Sequence, residues 1–139
     1  MPFATLTGLF NRRRLEETLQ TRLADYPKEP IACLMIDIDH FKRFNDQFGH
    51  DAGDMVMRYV GQILRDTVGD AGSAFRFGGE EFTVLLPDQD EEGGAVHAEA
   101  IRQKVDSTTL SFAGQMIGTV SVSIGLAASP AEAAMRLSL

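Results

Sequence analysis

Two pairs of acidic residues are candidate functional carboxylates, and each pair lies beside an apolar segment. Asp37 and Asp39 end one apolar run, and Glu80 and Glu81 follow a pair of glycines. Acids at the end of a buried strand are costly to desolvate unless they are paired or bound to metal. Two hard oxygen ligands suit Mg²⁺, which completes its coordination shell with water and substrate phosphates. These acids therefore indicate a magnesium site for a phosphate-bearing ligand, provided that the fold brings the two pairs together.

Simpler roles are open for several of the same residues. Asp39 could cap the helix that follows it, and Asp51 or Asp54 could cap the next one. Glu80 and Glu81 could also be solvated carboxylates at a turn. Which role applies depends on whether the strand that ends in Asp37 and Asp39 lies beside the turn that carries Glu80 and Glu81.

A further polar pair lies on the helix predicted for residues 40–48. Phenylalanine recurs there at helical spacing and is predicted to face the core: Phe41, Phe44 and Phe48. Lys42 and Asn45 share an adjacent face, so they can reach one ligand together. Near a helix start, Lys42 could hold a phosphate with help from free backbone N–H groups.

A buried strand and a hairpin are the elements that must position these groups. The run Ile31–Ile38 is almost continuously apolar, which is typical of a central strand covered on both faces. Residues 74–86 form two β-prone runs around Gly78 and Gly79, and a glycine pair can supply the positive φ of a tight hairpin turn. If the strand lies beside the hairpin, Asp37 and Glu80 meet at one edge of the sheet.

The remaining segments complete an α+β pattern. The first helix, within residues 6–26, is capped by Asn11, and it is followed by a loop at 49–54 and helices at 55–67 and 91–107. A weak strand at 110–117, a strong strand at 119–126 and a short helix after Ser129 end the chain. This order predicts one central mixed, mainly antiparallel sheet flanked by helices.

Composition limits the classes of partner. The 139 residues are 44% hydrophobic, enough for one core and one domain over residues 1–139. A net charge of −7 argues against nucleic acid and anionic membrane as partners. No apolar segment reaches the roughly 20 residues of a membrane span. The lone Cys33 lies in an apolar run and is predicted to be a buried thiol, which fits a cytoplasmic location.

The ordered motifs strongly resemble the GGDEF family of diguanylate cyclases, in its GGEEF variant. They are Leu-Thr-Gly-Leu-Phe-Asn-Arg-Arg at 6–13, Asp-Ile-Asp-His-Phe-Lys at 37–42, Asn-Asp at 45–46, Phe-Gly-His at 48–50, Gly-Asp at 53–54, Arg-Phe-Gly-Gly-Glu-Glu-Phe at 76–82 and Val-Ser-Ile-Gly at 122–125. The resemblance covers residues 6–126 and implies a fold similar to nucleotidyl cyclases and polymerase palm domains.

The resemblance also implies an activity and its partners. The family condenses two GTP molecules into cyclic di-GMP and releases two pyrophosphates, with Mg²⁺ or alternatively Mn²⁺. Each domain holds one GTP, so the chain is expected to work as a two-fold homodimer. An upstream sensor or receiver module is a further expected partner.

Family roles map onto individual positions of this chain. Asp37, Glu80 and the backbone carbonyl of Ile38 would hold the metal, and Glu81 would be a further ligand or a proton acceptor. The substrate-binding positions would be Phe41, Lys42, Asn45, Asp54, Gly78 and Gly79. Phe41 and Lys42 would line the phosphate end, whereas Asn45 and Asp54 would read guanine.

The chain departs from the family pattern at two functional sites and at one residue before the first motif. The inhibitory Arg-x-x-Asp positions fall on Gly69 and Gly72, so we expect the product-binding inhibitory site to be absent. The phosphate-binding lysine of the last family helix would fall on Leu139, and the later arginine has no counterpart. Ala4 replaces an acid that usually precedes the first motif. The alternative function is therefore a weak or inactive domain that binds GTP or cyclic di-GMP and signals.

Overall fold

Helices and strands alternate along residues 6–129, the part of the chain that the computed structural model describes. The elements are α1 (Arg12–Asp25), β1 (Ile31–Ile38), α2 (Phe41–Phe48), α3 (His50–Val68), β2 (Ser73–Arg76), β3 (Glu81–Pro87), α4 (Glu91–Val105), β4 (Leu110–Phe112), β5 (Gln115–Gly118) and β6 (Val122–Ser129). A short 3-10 turn, Gly69–Ala71, joins α3 to β2. None of these helices combines the length and apolarity needed to cross a membrane.

The central sheet has the strand order β2-β3-β1-β6, and each neighbouring pair is antiparallel. A parallel bridge between Phe10 and Phe75 adds the mixed character. The strands β4 and β5 form a separate hairpin. The predicted α+β fold, with helices flanking a mainly antiparallel sheet, is confirmed.

The strand β1 lies in the middle of the sheet because its side chains are apolar on both faces. Alternate residues from Ala32 to Ile38 enter the larger core, which also contains α3 and α4 side chains such as Leu64 and Ile101. Ile31 and Cys33 enter a smaller core below α1. Burial raises the pKa of the Cys33 thiol to about 11. The thiol therefore stays protonated, and the predicted burial of Cys33 is confirmed.

Helix α3 begins earlier than predicted. Residues 50–54 were expected in a loop, but Gly49 at φ 93° is the N-cap and the helix starts at His50. Asp51 and Asp54 therefore lie inside the helix, and neither caps it. Burial of Ala52 and Gly53 favours the extra turn, although glycine is a weak helix former.

The C-terminal strands also differ from the prediction. Residues 110–117 form the β4–β5 hairpin, because Ala113 and Gly114 adopt positive φ and reverse the chain. The strand predicted for 119–126 is β6, shifted to Val122–Ser129, where it pairs along all eight residues of β1. The predicted helix after Ser129 and the Leu139 position lie outside the described residues.

Two apolar faces were assigned too broadly. The apolar residues of the helix predicted at 91–107, among them Val96, Ile101 and Val105, are expected to face inward. Ile101 and Val105 are buried, but Val96 is 66% exposed. The phenylalanines of α2 are half-buried rather than fully buried; Phe41 and Phe44 pack against the edge of the larger core. This edge position leaves part of α2 available to a ligand.

Candidate active site

One open pocket collects most of the residues that the sequence singled out. It lies between α2, α3 and the loop joining β2 to β3, and has a volume of about 490 Å³. Its lining consists of Phe41, Lys42, Asn45, Asp54, Met57, Arg76, Gly79, Glu80 and Glu81. We call this the site pocket. Met57 and Arg76 were not among the predicted site residues.

The predicted metal donors Asp37 and Ile38 border the site pocket through the sheet register. Asp37 is the register partner of Glu81 on β3. The Ile38 backbone N–H donates to the Glu80 carbonyl at 3.4 Å. The strand β1 therefore does lie beside the hairpin, and acids from the two pairs meet at one edge of the sheet.

Electrostatics at this edge oppose the ionisation of Glu80. Burial raises the pKa of the Glu80 carboxyl, and the nearby charges of Asp37 and Glu81 raise it further. Neighbouring carboxylates thus repel one another, a repulsion that a divalent cation would relieve.

The donor set fits Mg²⁺ better than a metal that needs many protein ligands. Within residues 6–129, no three His, Cys, Asp or Glu side chains are grouped to hold a metal. Mg²⁺ commonly uses one or two carboxylates and takes its other ligands from water and substrate phosphates. Asp37 and Glu80 with the Ile38 carbonyl meet that need, and magnesium stays a prediction.

The raised pKa of Glu80 predicts a pH-dependent effect of its removal. The folded protein binds more protons than the unfolded chain between the ordinary glutamate pKa and the raised one, so this group lowers stability as pH rises through that window. Glu80→Gln should therefore become more stable relative to wild type as pH rises. Urea unfolding of both proteins with chelator, over a pH series from acid to neutral, measures the difference.

The pKa of Asp39 is shifted in the opposite direction, to lower values. Both proteins contain Asp39, so its contribution cancels in the difference between their stabilities. Glu16→Gln, an exposed change on α1 outside the site pocket, is the matched control and should show a flat difference. A flat difference for Glu80→Gln would contradict the prediction.

Asp39 has a structural contact and does not line the site pocket. Its carboxylate accepts hydrogen bonds from the hydroxyls of Ser121 and Ser123, each at 2.6 Å. These bonds lower its pKa. His40, in a left-handed conformation, is the N-cap of α2 and no side chain caps this helix, so the capping role considered for Asp39 is wrong. Asp39 instead ties the start of β6 to the end of β1.

Asn45 and Asp54 come together because α2 packs against the first turns of α3. The Asn45 Oδ1 atom is buried and has no hydrogen-bond partner within the described structure. A Cβ at position 53 would lie 1.8 Å from that oxygen, so only glycine leaves room for this amide. A buried polar atom without a partner is costly unless a ligand supplies one.

The loop that carries the glycines is not a tight two-residue turn. It spans residues 77–80, and neither Gly78 nor Gly79 has positive φ, contrary to the expected hairpin geometry. The loop is closed instead by the Phe77 and Gly78 N–H groups, which both donate to the Glu81 carbonyl. Around Gly79, no described atom lies within 4 Å of where a Cβ would be. Packing within residues 6–129 therefore gives no reason for glycine at 79.

The positions of the family's inhibitory pair lie away from the site pocket. Gly69 and Gly72 line a separate cavity of about 250 Å³ together with Arg65. A Cβ on Gly72 would lie 2.0 Å from the Leu85 carbonyl oxygen. The backbone at this position thus has no room for the aspartate of the family pattern.

Comparisons with known proteins agree with the fold and the motifs. The family model "Diguanylate cyclase, GGDEF domain" matches residues 3–138. Diguanylate cyclase VdcA of Vibrio cholerae is 32% identical over 126 residues, which are 89% of this chain and 37% of that protein. The chain spans little more than a third of the length of VdcA and of a further curated relative that it matches.

Two solved structures of such domains have a fold similar to that of this chain. The GGDEF domain of DgcB from Caulobacter crescentus, in complex with c-di-GMP, has a TM-score of 0.87 at 34% identity, covering 91% of this chain and 74% of that one. The active GGEEF domain of a Vibrio cholerae diguanylate cyclase has a TM-score of 0.76 at 33% identity, covering 86% and 76%. With the family model matched over nearly the whole length, this chain belongs to the GGDEF family of diguanylate cyclase domains.

Proposed function

We propose that this domain is a diguanylate cyclase, which joins two GTP molecules into cyclic di-GMP and releases two pyrophosphates. The observation that carries the proposal is the site pocket itself. Two cations, Lys42 and Arg76, line one space together with four polar or acidic residues: Asn45, Asp54, Glu80 and Glu81. Support comes from VdcA, a diguanylate cyclase, and from the GGEEF domain of Vibrio cholerae, which is described as active.

The chemistry proceeds twice, once for each new phosphodiester bond. The 3′-hydroxyl oxygen of one GTP attacks the α-phosphorus of the other, and the bond from that phosphorus to the bridging oxygen breaks to release pyrophosphate. Glu81, exposed beside the loop, accepts the proton of the attacking hydroxyl. Lys42 and the α2 backbone near Phe41 hold the phosphate end. Mg²⁺ bound by Asp37, Glu80 and the Ile38 carbonyl would neutralise phosphate charge and lower the pKa of the hydroxyl.

Base selection rests on Asn45 and Asp54. Guanine presents N–H donors at N1 and at its amino group, which a carboxylate can accept, whereas adenine presents an acceptor at N1. A site built to accept those hydrogen bonds rejects a base that lacks the donors. The domain should therefore use GTP and not ATP.

The proposed reaction uses two copies of the domain. Each new bond joins two nucleotides, and each domain is expected to hold one GTP in its site pocket. A two-fold pair places the two nucleotides antiparallel, so that each hydroxyl faces the other α-phosphate. Turnover per domain should then rise with protein concentration.

Incubation of the purified chain with GTP and Mg²⁺, over a range of protein concentrations, tests the proposal. Cyclic di-GMP should form with a steep dependence on concentration, and ATP should give no product. Folded protein that produces none at concentrations where it dimerises would refute the activity. If such protein still binds GTP or cyclic di-GMP, the signalling-module alternative is supported.

Gly53→Ala should weaken GTP binding by about tenfold while changing the free energy of unfolding by less than about 1 kcal/mol. The new methyl group occupies the space of the Asn45 Oδ1 atom, so the amide must turn away from its place in the site pocket. Isothermal titration with GTP and urea unfolding measure the two effects.

Gly93→Ala in α4 is the matched helical control, because the atoms nearest to its methyl group belong to the flexible side chain of Gln89. This control should bind GTP as wild type does. Unchanged GTP affinity in Gly53→Ala would show that the amide position is not used for the base.

A further inference from the structure

Arg76 contacts the glycine loop with its side chain. From the last position of β2, its Nε–H donates to the Gly78 carbonyl at 3.2 Å, and an Nη2–H donates to the Gly79 carbonyl at 2.9 Å. The planar guanidinium presents its donors in a fixed fork, so two bonds to successive carbonyls define the direction of both peptide groups. The side chain also lines the site pocket.

The backbone of Arg76 is fixed from the other side. Its N–H donates to the Phe10 carbonyl at 2.8 Å. It is the register partner of Phe82, which is fully buried. The guanidinium therefore reaches the loop from a rigid position in the sheet.

The loop needs such support because its own sequence provides little. Glycine has the greatest backbone freedom of any residue, and two stand side by side here. No described atom lies within 4 Å of where a Cβ of Gly79 would be, so a side chain at this position would have nothing to pack against. The acids Glu80 and Glu81 follow directly, and their carboxylates repel one another. The Phe77 and Gly78 N–H groups close the base of the loop on the Glu81 carbonyl, and the Arg76 guanidinium holds the Gly78 and Gly79 carbonyls.

We infer that Arg76 is a positioning residue, which holds the Gly78–Gly79 peptides and through them sets where Glu80 and Glu81 stand in the site pocket. The inference rests on the proposed function for its catalytic consequence, but its structural part does not. The effect on the reaction should be large, since a misplacement of about 1 Å in a catalytic group can reduce rate by about 100-fold.

Amide hydrogen exchange measured by NMR tests the structural part without any turnover. In Arg76→Ala, the Gly78 amide, which bonds the Glu81 carbonyl, should exchange at least about tenfold faster than in wild type. Arg65→Ala is the matched control, because Arg65 also donates to a backbone carbonyl, that of Thr7 at 2.7 Å, away from the site pocket. It should leave the Gly78 exchange rate unchanged. An unchanged rate in Arg76→Ala would overturn the inference even if the protein proves inactive.

Kinetics test the catalytic part. Arg76→Ala should lower kcat by about 10- to 100-fold and change KM for GTP by less than about threefold, because the loop acids and not the nucleotide contacts are displaced. Arg76→Lys should be nearly as impaired, since an ammonium lacks the planar fork. A raised KM with unchanged kcat, or full activity in Arg76→Lys, would show that Arg76 contributes only a charge to the phosphates. Absence of turnover in wild type would refute the proposed function and leave the exchange result to decide the role of Arg76.

Discussion

Glu81→Gln is expected to reduce cyclic di-GMP formation by about 10²- to 10⁴-fold, the usual contribution of a positioned proton acceptor. The amide keeps the shape of the side chain but cannot take the proton of the attacking hydroxyl. Glu81 is exposed at the start of β3, so no buried partner is lost. Its charge also raises the pKa of Glu80, and its removal relieves that repulsion. The fold should therefore survive while the activity is lost.

Two measurements separate this result from simple loss of binding or folding. Chromatography of the nucleotide products gives the rate, and calorimetric titration should show that GTP affinity changes by less than about threefold. Glu16→Gln, an exposed change on α1 outside the site pocket, should retain full activity. Turnover of Glu81→Gln within a few-fold of wild type would exclude Glu81 as the proton acceptor.

The sheet edge was predictable because its two strands have unambiguous patterns. The bounds of β1 match the apolar run Ile31–Ile38, since a strand covered on both faces leaves a continuous signal. The hairpin runs on either side of the glycine pair were equally clear. Once the strands are neighbours, the meeting of Asp37 with the loop acids follows from register alone.

Other features left no signal in the sequence. The bonds from Arg76 to the Gly78 and Gly79 carbonyls join a side chain to backbone, and such bonds impose no periodicity. The sequence did not indicate that Met57 lines the site pocket, because this residue is 1% exposed and has the spacing of an ordinary core residue. The early start of α3 depends on burial of Ala52 against other elements, which overrides the weak local preference of His-Asp-Ala-Gly-Asp for helix. Tertiary contacts decided each of these cases.

Gly79→Ala should separate a structural role of the glycine loop from a role in binding. The backbone of Gly79 is outside the positive-φ region, and an added Cβ would meet no described atom within 4 Å. Alanine is therefore sterically allowed, and it should stabilise the fold by about 0.4–1 kcal/mol by restricting the unfolded chain. If the GTP phosphates must approach this backbone closely, the same methyl group should overlap with them. A steric overlap of this kind costs about 1–3 kcal/mol, so nucleotide affinity should fall by about 10- to 100-fold.

Gly125→Ala supplies the matched control for this prediction. Gly125 lies on β6, outside the site pocket, and its Cβ direction is also open. Thermal unfolding and GTP titration of both variants should therefore give similar stabilities but different affinities. Equal GTP affinity in the two variants would mean that the nucleotide does not approach the Gly79 backbone. A stable Gly79→Ala protein that has lost GTP binding would instead show that glycine at 79 serves the ligand, since packing among residues 6–129 does not require it.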